Sequence, residues 1–250
     1  MKRIIQTLAT VIGLCLSTSA SAQTDASFLV PNPQTARWSY VLTDETGKHV
    51  ATEYHSIASL DGDGINGKMK IRVKEVSTSS PSDTLESFIY FSCKNGEYMA
   101  DMTAFFEEEI IGMANTRIAE EVTELTEEER QEAMEKIRSE LKVSGEMRGI
   151  PRYPTVGQLP DYSFQFKLSI FNLKVSGEKR KIVGTEKIVT DAGTFDCFIL
   201  EETRVTKVMM MKEVEKVKTW YAYGIGTVKE ISYDKSGKLL STTLLNGINW

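Results

Sequence analysis

Residues 50–74 read VATEYHSIASLDGDGINGKMKIRVK, and this stretch indicates the fold class. Its last part alternates apolar Met69, Ile71 and Val73 with basic residues, the period of two that is typical of a half-buried β-strand. The aspartate- and glycine-rich segment 61–67 that precedes it is typical of a turn. Residues 50–60 are then the partner strand, so the sequence predicts an antiparallel β-hairpin.

The same pattern continues in both directions along the chain. Apolar Trp38, Tyr40 and Leu42 recur at every second position, and Asn95-Gly96 has the composition of a tight hairpin turn between two apolar runs. Further strands are predicted at 162–175, 181–190, 194–205, 207–220, 226–233 and 238–245. About eleven strands result, and because strands and helices do not alternate, we expect an antiparallel sheet rather than a parallel one.

Residues 103–142 have a different character, with a period near 3.6 and many acidic residues. Thr126 followed by Glu129 is a capping box, which predicts the start of the second of two helices. Glu127 and Glu128 fall in the first turn, where the helix dipole favours negative charge. We therefore interpret this acidic cluster as a helix start rather than a metal site.

The predicted fold class is mainly β, with one large curled antiparallel sheet, a barrel or half-barrel. Such a sheet must cover its apolar face, and the amphipathic helical pair is placed to cap its opening. Residues 23–250 are expected to form a single β-rich domain with this helical insert at about 103–142, because neither an internal repeat nor a low-complexity linker interrupts them.

The N-terminus has the three parts of a secretory signal peptide. Lys2 and Arg3 form its positive region, residues 4–16 its apolar core, and Ala20 to Ala22 a small-residue cleavage site. The core has about 13 residues, fewer than the roughly 20 that span a bilayer. We expect cleavage after Ala22, so that residues 1–22 are removed and the mature protein lies in the periplasm or outside the cell.

The composition of the mature chain limits its partners. Without residues 1–22 the chain keeps 28 basic and 35 acidic residues, a net charge of −7. Nucleic acid is therefore not expected as a partner, because phosphate binding needs a basic surface. No later apolar run reaches the length of a transmembrane anchor.

The cysteines lead to one testable expectation. Cys15 lies within the apolar core of the leader and follows Leu14 instead of a small residue, so lipidation is not expected. Cys93 and Cys197 remain after export to an oxidising compartment, where disulfides persist. We expect a Cys93–Cys197 bridge, with two separately buried thiols as the alternative, since the sequence does not fix the distance between them.

Patterns that would carry catalysis or metal binding are weak. The sequence has neither a G-x-S-x-G elbow nor a nucleophilic cysteine signature. His49 and His55 would lie about 20 Å apart on a strand, too far to share a metal, and Glu53 with His55 is interpreted as a pair of solvated residues. The segment 61–72 fails the calcium-loop pattern at its fifth and twelfth positions. We predict no catalytic residues, no metal and no cofactor.

A methionine-rich segment offers a candidate binding site. Met209 and Met211 fall in a predicted strand that ends near Trp220, and methionine adapts to varied apolar ligands. Together with Phe106 and Ile110 of the helical pair, these residues could line an apolar cavity for a hydrophobic ligand. Plain core packing is the alternative interpretation of the same residues.

Several motifs resemble those of a known family. Residues 183–200, VGTEKIVTDAGTFDCFIL, are similar to a "G-x-E-x-V-x-V-x-A-G-T-F-x-C-x-x-V" pattern, and 219–229, TWYAYGIGTVK, to "W-Y-A-P-G-V-G-L-V-K". The chain resembles a domain-of-unknown-function family of secreted bacterial proteins, sometimes labelled TapB-like, over about residues 90–245. Tyr223 stands where that pattern has proline. The resemblance implies an exported β-rich domain and carries over no catalytic residues.

The sequence thus favours an exported, non-enzymatic protein of the periplasm or cell envelope that binds a hydrophobic small molecule or an envelope partner. The first alternative is a hydrolase of glycans or envelope components, which needs a cleft with two carboxyl groups roughly 5–10 Å apart. A second alternative is an outer-membrane β-barrel, which is suggested by Trp250 and by the alternation of Leu240, Leu244 and Ile248 before it.

Overall fold

The computed structural model describes residues 36–62, 66–110, 112, 126–168, 171–223 and 225–249. The described residues form fourteen strands and two short α-helices. The strands are β1 (Arg37–Thr43), β2 (His49–Gly62), β3 (Gly67–Ser77), β4 (Thr84–Lys94), β5 (Glu97–Ala100), β6 (Lys142–Glu146), β7 (Ile150–Pro151), β8 (Gly157–Gln158), β9 (Tyr162–Leu168), β10 (Phe171–Thr190), β11 (Gly193–Val208), β12 (Met211–Ala222), β13 (Gly226–Asp234) and β14 (Leu239–Asn249). The helices are α1 (Met102–Phe105), which continues into a π-helical turn Phe106–Ile110, and α2 (Glu127–Glu140).

All the strands belong to one antiparallel sheet, which confirms the predicted fold class. The order is β6-β9-β10-β11-β12-β13-β14-β1-β2-β3-β4-β5-β7, with β8 paired to β10 outside this path. Most paired strands follow one another closely along the chain. The exceptions include β5 with β7, which pair across the helical insert, and β1 with β14, which bring the two ends of the described chain together. The sheet does not close on itself, because β6 and β7 are not paired to each other.

The two edges of the sheet are nevertheless near each other. Thirteen strands side by side at about 4.8 Å would span roughly 60 Å if the sheet were flat. Only residues 147–149 join β6 to β7, and four trans peptides reach at most about 15 Å. The sheet must therefore curl through most of a turn. We call the face that carries Tyr40, Ile71, Phe164 and Leu173 the inner face; each of these side chains is buried.

The helical segment after β5 lies between β4 and β9. The ring of Phe106 stacks on Phe166 of β9 at a centroid distance of 3.6 Å and is 1% exposed. On the other side, the Tyr90 hydroxyl of β4 donates to Glu109 Oε1 at 2.7 Å. β5 pairs only with residues 91–94 of β4, and the helical segment packs against the neighbouring part of that strand at Tyr90.

The predicted start of the second helix is confirmed. The Thr126 hydroxyl accepts a hydrogen bond from the Glu129 backbone N–H, and the Glu129 carboxylate accepts one from the Thr126 backbone N–H at 2.8 Å. The helical insert ends at Glu140, however, and residues 142–146 form β6 instead of a helix end. Residues 113–125 of the insert lie outside the described residues, as do the predicted leader 1–22 and Trp250.

Two predicted strand boundaries were wrong. Residues 162–175 belong to two strands, and β10 runs unbroken from 171 to 190 through Ser176-Gly177-Glu178-Lys179-Arg180, which has a turn-like composition. The register shifts between Glu178 and Lys181, where Lys179 has φ +57°. A β-bulge therefore absorbs the turn-like residues without ending the strand.

Candidate functional site

The inner face carries a buried ion network that begins at Arg180. Its side chain is fully buried, and its Nε donates to Glu202 Oε2 at 3.1 Å. Its two terminal nitrogens donate to the carbonyls of Pro160 and Gly149 at 2.7 and 2.8 Å. Arg180 therefore ties β10 and β11 to the loop that joins the edges of the sheet.

Glu202 is shared between two arginines. Its Oε1 accepts from Arg204 at 3.0 and 3.1 Å, and Arg204 also reaches Glu230 on β13 at 3.4 Å. Glu230 accepts a further hydrogen bond from the Thr219 hydroxyl at 3.0 Å. Burial disfavours the charged guanidinium of Arg204, but the charges of Glu230 and Glu202 outweigh it and hold its pKa above the ordinary value.

The sequence does not predict this network, and the reason is structural. The β-bulge between Glu178 and Lys181 lets Arg180 point to the inner face from a segment that has the composition of a turn. The signal in the sequence was Glu202 and Arg204, which occupy alternate positions of the predicted strand 194–205. Because charged residues are almost never fully buried unless paired, two such residues on the buried face predict partners elsewhere.

Two hydroxyl oxygens beside the network are buried and lack a hydrogen-bond partner among the described residues, namely Tyr221 Oη and Thr227 Oγ1. Burial, reinforced by the charges of Glu230 and Glu202, raises the pKa of Tyr221 well above its ordinary value. Buried polar atoms of this kind are ordinarily satisfied by an ordered water.

Glu53 and His55 are a second buried pair, so their interpretation as solvated residues was wrong. The His55 Nε2 lies 2.9 Å from Glu53 Oε2, and both side chains are at most 3% exposed. The rings of Trp38 and Tyr40 pack against the imidazole at 5.6 and 5.0 Å. The register places all four residues on the inner face, since Tyr40 pairs with Glu53 and Trp38 with His55.

The carboxylates of the inner face do not form an open catalytic pair. Glu202 and Glu230 both contact Arg204, but their side chains are 1% and 12% exposed and engaged in charged hydrogen bonds. Substrate hydrolysis by two carboxylates needs access to the scissile bond between them. Within the described ranges no three His, Cys, Asp or Glu side chains are arranged to hold a metal ion.

The methionine segment lies at the end of a hairpin instead of in a strand. Val208 pairs with Met211, so Met209 and Met210 form the two-residue turn between β11 and β12. Met209, Met210 and Met211 are 51%, 100% and 48% exposed. The prediction that Met209 lies within a strand was wrong, because the turn falls at 209–210, after Val208; Met211 is the first residue of β12.

The other predicted cavity residues are dispersed. Trp220 is buried on the face opposite Tyr221, and its indole N–H donates to Glu186 at 2.6 Å. Phe106 packs on β9, as described above, and the side chain of Ile110 lies outside the described residues. The structure thus places the exposed Met209 and Met211, the buried Trp220 and the buried Phe106 in separate environments.

The predicted disulfide is absent. Cys93 on β4 and Cys197 on β11 are both buried thiols, and no bridge joins them. Their strands are seven positions apart in the sheet order. Cys93 lies on the inner face, as does Phe91. Side chains of β11 alternate between the two faces, so Cys197 lies on the face opposite to that of its neighbour Phe198. Burial raises the pKa of Cys197 to about 12, so its thiol stays protonated.

An exposed patch, which we call the tyrosine patch, lies at the end of the sheet opposite the methionine turn. It consists of Tyr153, Val156 and Tyr223, which are 66%, 70% and 43% exposed. Tyr223 lies in the turn between β12 and β13, and its ring packs on Phe198 at 5.6 Å. Partial burial and, after it, the charge of Tyr153 raise the pKa of Tyr223 above its ordinary value.

None of the helices in the described ranges has the length and apolar character that a membrane crossing requires.

Comparison with known proteins identifies a family and a shared fold. A family model described as DUF3108-like matches residues 113–245, more than half of the chain. No curated protein matches the sequence. The match confirms the expected resemblance to a domain-of-unknown-function family, whereas nothing supports the TapB-like label.

Two solved structures share the fold across almost the whole chain. A candidate lipoprotein from Parabacteroides distasonis aligns with a TM-score of 0.59 and 16% identity, covering 92% of this chain and all of that one. A candidate exported protein with a YmcC-like fold from Bacteroides fragilis aligns with a TM-score of 0.58 and 13% identity, covering 94% of this chain and all of that one. A chain of the MucA/MucB complex from Pseudomonas aeruginosa aligns with a TM-score of 0.29 and 9% identity, covering 86% of this chain and 51% of that one.

Proposed function

Since this chain belongs to the DUF3108-like family, we propose that it is an exported, non-enzymatic protein of the cell envelope that binds a protein partner through the tyrosine patch. Export is supported by the leader at residues 1–22 and by two relatives of the same fold that are described as an exported protein and a lipoprotein. Cleavage after Ala22 would release the mature chain into the periplasm or beyond.

The paired charges of the inner face do not favour catalysis there. The charged groups there form ion pairs with one another, in a network that runs from Arg180 through Glu202 and Arg204 to Glu230. Groups engaged in this way stabilise a fold and are not available to a substrate. Met209 and Met211 are exposed, so they do not support a buried cavity for a hydrophobic ligand.

The tyrosine patch is the observation that carries the proposal. Tyrosine supplies large contact area with few rotatable bonds and is enriched at the centres of protein interfaces. Tyr153 and Val156 come from the loop after β7, and Tyr223 from the β12–β13 turn, so two separate segments build one surface.

A photo-crosslinking amino acid at position 156 tests the proposal in the native organism. We expect one crosslinked product in the envelope fraction, and its loss in the variant Tyr153→Ser/Tyr223→Ser. Tyr54→Ser is the matched control, since Tyr54 is 53% exposed elsewhere on the sheet. A product that survives the double variant, or no product at all, contradicts binding through this patch.

The export step is tested separately by N-terminal sequencing of the protein from fractionated cells. A sequence that begins at Gln23 in the periplasm or medium is expected. An uncleaved chain in the cytosol contradicts the proposal.

A further inference from the structure

The β11–β12 hairpin ends in three exposed methionines that folding does not explain. Met210 is fully exposed, and about half of each neighbouring methionine is exposed. The backbone N–H of Met209 bonds to the Asn172 carbonyl at 2.8 Å, which fixes the turn beside the start of β10. The position of the apolar tip at this end of the sheet is thus fixed by a backbone hydrogen bond.

The backbone at this turn also disfavours methionine. Met209 has φ +55°, and a two-residue hairpin turn with φ > 0 at its first position ordinarily takes glycine. The β4–β5 hairpin of the same chain obeys this chemistry with Asn95 and Gly96, at φ +54° and +76°. A side chain with a Cβ is strained in the left-handed region, so Met209 lowers the stability of this turn.

Three lysines lie in a row behind the tip on the outer face. Lys207 pairs directly with Lys212 across the hairpin and with Lys174 on β10. Like charges opposite each other on adjacent strands are destabilising. None of the three has an ion pair within the described part of the chain. Lys207 and Lys212 are exposed, so an external anion can reach them.

We infer that this hairpin end docks on an anionic lipid surface, with Met209, Met210 and Met211 inserted at the acyl boundary and Lys174, Lys207 and Lys212 against the lipid phosphates. The lysines lie two to three residues behind the turn, about 7–10 Å along the strands, which matches the depth between acyl boundary and headgroups. Lysine ammonium groups near a negative surface each favour binding.

Lipid fits these observations better than a protein partner does. The tip presents three methionines and none of the tryptophan, tyrosine or arginine side chains that dominate the binding energy of protein interfaces. Methionine is flexible and adapts to a fluid apolar phase. This docking surface lies at the opposite end of the strands from the tyrosine patch, so it is independent of the proposed partner site.

Co-sedimentation of the full mature chain with vesicles tests the inference. We expect binding to vesicles of mixed phosphatidylglycerol and phosphatidylcholine, weak binding to phosphatidylcholine alone, and loss of binding as salt rises. Lys207→Gln and Lys212→Gln should each lower the partition coefficient about fivefold, as follows from roughly 1 kcal/mol per lysine. Lys235→Gln, in the exposed β13–β14 turn at the same end, is the control and should change it little.

Insertion is measured with Met210→Trp, whose fluorescence should shift to the blue only with anionic vesicles. Met209→Ser/Met210→Ser/Met211→Ser should abolish binding while leaving the thermal melting cooperative. Equal binding to both vesicle types, or an unshifted tryptophan, overturns the inference. If the methionine variants change self-association but not vesicle binding, the tip is a protein contact and the lipid assignment is wrong.

Discussion

Arg180 and Glu202 form a completely buried ion pair, with Nε and Oε2 3.1 Å apart and side chains 0% and 1% exposed. The bulge in β10 directs Arg180 to this position, and Glu202 forms a second ion pair with Arg204. The pair therefore connects the loop between the two sheet edges with the middle of the sheet.

Glu202→Gln is expected to destabilise the fold by about 3–5 kcal/mol, because it leaves two buried guanidinium groups without their shared charge. The urea unfolding midpoint of the purified mature chain measures the effect. Glu201→Gln is the control: Glu201 is the next residue, its partners Lys181 and Lys218 are partly exposed, and about 0–1 kcal/mol is expected. Equal losses in the two variants would mean that the buried network does not hold the sheet.

Glu215→Gln is expected to raise stability at neutral pH. Burial raises the pKa of Glu215 above its ordinary value of 4.5, and the charges of Glu213 and Glu230 add to this effect although Arg204 opposes it. A carboxyl with a higher pKa in the folded state binds more protons when folded, so it lowers stability as pH rises from 4.5 through the folded pKa.

Unfolding in urea across this pH range checks the Glu215 prediction. The stabilisation by Glu215→Gln should be present at pH 7 and vanish below the ordinary carboxyl range. Glu132→Gln, on the exposed surface of α2, should show no such pH dependence. A benefit of Glu215→Gln that is independent of pH would contradict the assignment.

Both cysteines of the mature chain should be found as thiols without any reductant. Alkylation is expected to label Cys93 and Cys197 only after unfolding, because both are buried and the pKa of Cys197 is raised to about 12. Intact-mass spectrometry counts the labels. A mass two hydrogen atoms lower, with no labelling after unfolding, would show a bridge that this fold does not contain.

Phe106→Ala is expected to cost about 3–5 kcal/mol, since it removes a ring that stacks on Phe166 and closes the space beside β4. Val189→Ala, at a side chain that is 73% exposed, should cost little. The urea unfolding midpoints of the two variants, measured under the same conditions, compare their losses of stability. If Phe106→Ala were as mild as the control, the helical segment would not be part of the core.

Met209→Gly is expected to raise the stability of the hairpin by about 1 kcal/mol, because it relieves the left-handed strain at φ +55°. The thermal midpoint of the mature chain measures this gain. Asn95→Ala, which introduces strain at φ +54°, should lower the midpoint. A lower midpoint for Met209→Gly would mean that the methionine stabilises the fold.

The sequence by itself determined the elements that local physics controls. Alternation at Met69, Ile71 and Val73, the Asn95-Gly96 turn and the capping box of Thr126 with Glu129 all predicted structure that was found. In each case the signal and the structure it specifies lie within a few residues of each other. The antiparallel sheet followed from the sum of these local signals.

Only the tertiary structure decided which residues meet. A one-residue bulge carried Arg180 to the inner face, and the position of one turn moved Met209 and Met211 from a predicted wall to an exposed tip. Cys93 and Cys197 ended on strands seven positions apart. Composition does not fix such outcomes, because a shift of one residue in a strand exchanges its two faces.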